Sequence, residues 1–175
     1  MVTRRKLIWF GAAGLLAATL PRAALAAPDD PVGIVTAIYT RAAKGKGDGG
    51  GGFVIENKAA KAKYLSNALV ALWAKADART RKGESGPVDF DPVTNSQDPD
   101  VKSFKVAAEK QAADKATIAV TIESHQPGGR ANPADKTIRY EFVHDAGGWK
   151  IDDIKGAVDG SPWSIRALLV NSLKR

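Results

Sequence analysis

Between Val88 and Asp100 the chain concentrates oxygen donors: Asp89, Asp91, Asn95, Gln97, Asp98 and Asp100 are interleaved with Pro92 and Pro99. Carboxylates and amide carbonyls at this density are what a hard cation or a polar ligand would need. Against the calcium helix-loop-helix template, Asp89, Asp91 and Asn95 match the first, third and seventh positions, but Val93 stands where the fifth ligand belongs. Thr94 also occupies the turn glycine's place, and Asp100 replaces the closing Glu. No metal site is therefore expected. Asp and Asn beside prolines also bond nearby backbone N–H groups, and this turn chemistry is the preferred reading. If the stretch does bind a ligand, Asp89, Asp91, Gln97 and Asp98 are the candidates.

Other chemistry is sparse. Asp152 and Asp153 are adjacent in an alternating stretch, so one of them must face water if it is a strand. His125 and His144 fall near strand ends in polar surroundings and read as solvated rather than as a base or ligand pair. Neither a Gly-x-Ser-x-Gly elbow nor a His-Glu-x-x-His motif is present. The chain has no cysteine, which excludes disulfides, thiolate metal sites, a Cys nucleophile and a lipidated Cys anchor. Gly49 to Gly52 lack the Lys-Ser/Thr and strand context of a phosphate cradle and read as a flexible surface loop. No cofactor is expected.

The elements that must position these residues are legible from periodicity. Asp29-Asp30-Pro31 is a cap followed by proline, and Ile34, Val35, Ile38, Tyr39 and Ala42 keep helical spacing, predicting a helix over about 31–44. A second, longer helix is predicted over 56–79, with Tyr64, Leu65, Ala68, Leu69, Leu72, Trp73 and Ala76 in one stripe. Tyr64 and Trp73 read first as packing residues, and as ligand contacts if a pocket opens beside that helix. Two strands follow, around 103–107 and 116–123. Next come Ile138, Tyr140 and Phe142, the break Asp145-Ala146-Gly147-Gly148, and Trp149-Lys150-Ile151-Asp152-Asp153-Ile154, which form an antiparallel hairpin. Gly160-Ser161-Pro162-Trp163 reads as the start of a last short helix carrying Ile165, Leu168 and Leu169. The fold class is α+β, with a four-stranded antiparallel meander covered by the N-terminal helices and a short C-terminal helix.

Residues 1–26 read as a cleaved targeting segment: a basic start, an apolar run from Leu7 to Leu20, and Ala24-Leu25-Ala26 as the cleavage pattern. Thr3-Arg4-Arg5-Lys6-Leu7-Ile8 resembles the twin-arginine export motif, so the expected location is periplasmic or secreted. The apolar run is too short for a membrane anchor, and none is expected after cleavage. The whole chain carries +7, but four of its 26 basic residues lie in this segment, leaving 22 against 19 acidic ones in a single domain over 27–175. An excess of three gives no reason to expect a nucleic-acid partner.

Residues from about 31 to 172 resemble the exported bacterial proteins grouped as domain of unknown function 3828, within the nuclear-transport-factor-2-like (cystatin-like) superfamily. The resemblance is carried by Asp89-Phe90-Asp91-Pro92 with Asn95-Ser96-Gln97-Asp98, by Gly148-Trp149-Lys150-Ile151-Asp152-Asp153-Ile154, and by Ser161-Pro162-Trp163-Ser164-Ile165-Arg166-Ala167-Leu168-Leu169. It implies a cone-like half-barrel, a strongly curved sheet with helices in its concavity and often a pocket at its mouth. The superfamily includes an isomerase, dehydratases and many binding modules, so the resemblance selects no activity. No catalytic residue is assigned. The first expectation is a non-catalytic module binding a small molecule or a periplasmic protein. The alternatives are an isomerase- or dehydratase-like enzyme with a pocket carboxylate as base, and an inhibitor or immunity-type interaction domain. Arg139, Glu141, Lys150 and Asp152 would charge the open sheet face, which favours a monomer over a homodimer.

Overall fold

The computed structural model describes residues 30–44, 50–125 and 132–174. Residues 1–29, which include the stretch read as a targeting segment, residues 45–49 of the glycine-rich loop, 126–131 of the polar connection and Arg175 lie outside the described residues. Among the described residues no helix is long and apolar enough to cross a membrane.

Helix α1 spans Pro31–Lys44, as the cap and periodicity predict. The Asp30 carboxylate accepts the Gly33 N–H at 2.8 Å, and Val35, Ile38, Tyr39 and Ala42 turn inward. The long helix predicted over 56–79 is instead two helices, α2 (Lys58–Tyr64) and α3 (Asn67–Asp77). The break has a cause in the sheet. Leu65 and Ser66 are extended, Leu65 bridges to Ile151, and the Ser66 N–H donates to the Ile151 carbonyl at 2.8 Å. Ser66 then restarts the helix by accepting the Leu69 N–H at 3.0 Å. Pairing a short edge of sheet thus outweighs one turn of continued helix.

The sheet has five antiparallel strands in sequence order: β1 (Ser103–Gln111), β2 (Lys115–Glu123), β3 (Thr137–Asp145), β4 (Gly148–Val158) and β5 (Ser161–Ser164). It is an open meander with one strand more than expected. The β3–β4 hairpin lies where the alternation places it, with Asp145 opposite Gly148. The extra strand is the segment read as a helix start. Asp159 and Gly160 both have positive φ (50° and 76°), the backbone of a two-residue hairpin turn, so Val158 pairs with Ser161. Pro162 is tolerated because β5 is an edge strand. The cap function moves to Ser164, which accepts the Ala167 N–H at 3.2 Å and opens α4 (Ile165–Ser172).

Ile118, Val120, Ile138, Tyr140, Phe142, Ile151 and Ile154 form the apolar face of the sheet, packed against α1, α3 and α4 through Val35, Ile38, Tyr39, Leu69, Trp73, Ile165 and Leu169. Each full burial of a large apolar side chain is worth about 1.5–3 kcal/mol. The register shifts between Glu141 and Phe142: Glu141 faces Asp153 while Phe142 faces Ile151. Asp152 is the extra residue of this bulge.

Candidate functional site

The acidic stretch is folded around its own polar atoms. Asp91 Oδ2 accepts the Gly51 N–H at 2.5 Å and the Thr94 hydroxyl at 2.7 Å, and Oδ1 accepts the Val93 N–H at 2.9 Å. Asn95, at φ 53°, donates to the carbonyls of Ala157 (2.6 Å) and Asp135 (3.2 Å) and accepts the Trp163 indole N–H at 2.8 Å. Asp135, itself buried, accepts the N–H groups of Asp159 and Gly160. The loop therefore ties α1's neighbourhood to the β4–β5 turn. Gly50 and Gly51, read as flexible surface, are instead buried: a Cβ on Gly51 would come within 1.9 Å of Val93 Cβ. Glycine is required there for close approach rather than for mobility.

The remaining sequence candidates do not converge with Asp91. Gln97 and Asp98 are exposed, and the Asp98 backbone closes a small turn with the Ser96 hydroxyl. Asp89 is exposed and borders a polar cleft of about 820 Å³ with Arg79, Arg81 and Glu84. Trp73 is buried in the core with the Lys61 ammonium 4.3 Å from its ring centre. Among the described residues no three His, Asp or Glu side chains are grouped to hold a metal ion.

The bulge gives Asp152 and Asp153 different work from that predicted, since neither simply faces water. Asp153 is 5% exposed and accepts the Ser164 hydroxyl (2.7 Å) and the Arg166 N–H (3.0 Å), anchoring the start of α4. Asp152 accepts the Ser66 hydroxyl at 2.5 Å and pairs with the Arg166 guanidinium. Two helix starts are thereby fixed to one strand. Lys150 also leaves the charged sheet face, its ammonium donating to the Lys63 carbonyl at 2.8 Å. Arg139 and Lys155 remain on that face, paired with Glu109 and Glu141. The imidazole of His125 lies 2.6 Å from Asp100, and that of His144 stacks edge-on against Trp149.

A tyrosine pair lies deep inside. Tyr140 donates to the Tyr39 hydroxyl at 3.2 Å, and Tyr39 donates to the Val93 carbonyl at 2.6 Å. Burial, then the neighbouring Tyr39, and lastly Asp91 push the Tyr140 phenol well above its ordinary range. Both rings are wholly buried, so no reactant reaches them.

An open cleft with apolar walls lies at the tip of the β3–β4 hairpin. Ile34 and Ala37 of α1, Tyr64 at the end of α2, and Trp149 of β4 line it, with Lys63, Lys150, Gly147 and Gly148 at its rim, enclosing about 640 Å³. Tyr64 stands edge-on to Phe53, 6.0 Å between ring centres, and the Lys63 ammonium lies 4.9 Å from the Tyr64 ring centre. No family model, curated protein or solved structure matches this chain.

Of the sequence candidates, this cleft contains Tyr64 alone. Trp149 and Lys150 went unassigned because in sequence they are ordinary members of an alternating strand. The available signal was the phase of Trp149, one residue past Gly148 on the same strand face as buried Ile151; Lys150 lies out of that phase.

Proposed function

We propose that this protein is an exported, non-catalytic binding module of the nuclear-transport-factor-2-like type, with a cone-like curved sheet and its ligand site in the hairpin-tip cleft. One observation carries the reading. The cleft offers a preformed, largely apolar space of the size small ligands fill, with a few polar groups at its rim. The export leader read in residues 1–26 and the resemblance of 31–172 support the location in the periplasm and the architecture. Against a carboxylate-base enzyme stand Asp91, Asp152 and Asp153, whose oxygens accept hydrogen bonds that hold turns and helix starts. The ion pairs on the open sheet face favour a monomer, which light scattering at micromolar protein tests.

The purified protein is to be melted against a panel of small apolar and amphipathic metabolites. A ligand at a hundredfold excess over its Kd raises stability by about 2.7 kcal/mol. Tyr64→Ala and Trp149→Ala are expected to remove the shift. A shift that survives both substitutions places the ligand elsewhere and ends this reading.

A further inference from the structure

We infer that the hairpin-tip cleft is a site for an amphipathic anion, a single negatively charged head on an apolar body of aromatic or short-chain size. This rests on the binding reading above and gives it a chemistry.

The ionic side chains that line the cleft are both cationic. Lys63 and Lys150 line the cleft and no acidic residue does. Cations on the neighbouring sheet face are matched, Arg139 with Glu109 and Lys155 with Glu141, whereas among the described residues neither Lys63 nor Lys150 forms an ion pair. In the same turn, Asp145 turns an oxygen to the Gly147 N–H at 2.7 Å. Lys150 is also held in place. Its bond to the Lys63 carbonyl fixes the ammonium while leaving two of its three donors for a ligand. An anion in the cleft would have both lysines among its lining residues, and its apolar remainder would lie along Ile34, Ala37, Tyr64 and Trp149. Gly147 and Gly148 bring no side chain to the rim. Lysines act as point charges rather than planar forks, so the site selects the charge of the head more than its shape.

The test measures binding of phenylbutyrate and hexanoate, and of the corresponding uncharged alcohols, to the purified protein by calorimetry at low and high salt. The carboxylates are expected to bind about tenfold more tightly than the alcohols at low salt, with the preference shrinking as salt screens the lysines. In Lys63→Gln/Lys150→Gln the preference falls to about twofold or less while alcohol binding is unchanged, since the apolar walls remain. Circular dichroism confirms that the variant is folded. Equal binding of carboxylates and alcohols overturns the anion assignment and leaves the cleft as a neutral apolar site. No binding of either class, with no effect of Tyr64→Ala or Trp149→Ala on any melting shift, overturns the cleft reading itself. Binding confined to phosphatidylglycerol vesicles, absent with free amphiphiles, replaces the soluble ligand by a membrane surface and also overturns the proposal.

Discussion

The acidic loop and the hairpin-tip cleft are opposites in how their polar groups are used. In the loop, the Asp91 side chain bonds Gly51, Val93 and Thr94, and that of Asn95 bonds Asp135, Ala157 and Trp163. At the cleft, Lys63 and Lys150 stand beside Tyr64 and Trp149 without a carboxylate among the lining residues. A dense run of ligand-type residues is therefore a poor guide to a site. What marks one is the polar capacity left over after folding, because buried donors and acceptors that are already paired cannot bind a ligand without unpairing.

The sharpest way to break the comparison is to disturb the seat of the acidic loop. Gly51→Ala would drive a methyl group into Val93, which is fully buried and whose carbonyl receives Tyr39. A destabilisation of about 3 kcal/mol or more is expected, read from urea unfolding. A change within about 0.5 kcal/mol would mean that the loop is mobile after all and not part of the packed structure.

Asp91→Ala comes next, at about 3 kcal/mol, because it leaves Gly51 N–H, Val93 N–H and the Thr94 hydroxyl without their acceptor. Asp91→Asn keeps one oxygen and is expected to cost about half as much. If both variants are as stable as the parent but the parent alone is stabilised by calcium, the loop is a cation site and the comparison fails.

Much of the scaffold was legible because periodicity reports burial directly. Helix α1 and the β3–β4 hairpin follow from spacing that local chemistry at Asp30-Pro31 and Gly147-Gly148 reinforces. Two features were hidden for different reasons. The break at Leu65-Ser66 is imposed by Ile151, a partner distant in sequence, and the apolar stripe continues across it. Strand β5 did carry a local signal, Asp159-Gly160, a dipeptide suited to a two-residue hairpin, but Ser161-Pro162 imitates a helix start. The bulge at Asp152 carries no sequence mark, since it depends on which residue of β3 lies opposite. The cleft was hidden for the same reason: it joins α1, α2 and β4.

A smaller effect sharpens the comparison from inside the core, where the tyrosine pair ends on Val93 of the loop. Tyr140→Phe is expected to cost about 1 kcal/mol at neutral pH, since Tyr39 keeps its bond to the Val93 carbonyl. Its sign with pH is more informative. The Tyr140 phenol is raised in the folded state, so the folded protein holds that proton at pH values where the unfolded chain releases it. The stability it contributes is fully present below the unfolded value of about 10 and is lost as pH rises above it. Stability of the parent should fall more steeply than that of Tyr140→Phe between about pH 10 and 11, by up to about 1.4 kcal/mol over that unit. Parallel curves would show that the phenol is accessible to solvent and that the core beside the loop is not sealed.

The smallest expected effect decides the other half of the comparison. Lys63→Gln/Lys150→Gln removes two cations that no ion pair holds among the described residues, and the Lys150 bond to the Lys63 carbonyl is exposed. A change in unfolding free energy within about 0.5 kcal/mol is expected, as for surface substitutions away from packed features. Were the double variant destabilised by about 1.5 kcal/mol or more, the lysines would be holding α2 to the hairpin as Arg166 holds α4 to the bulge. The cleft would then be no different in kind from the acidic loop. Near-neutrality in stability, joined to a loss of preference for anions, is the combination that separates a group kept for binding from a group kept for folding.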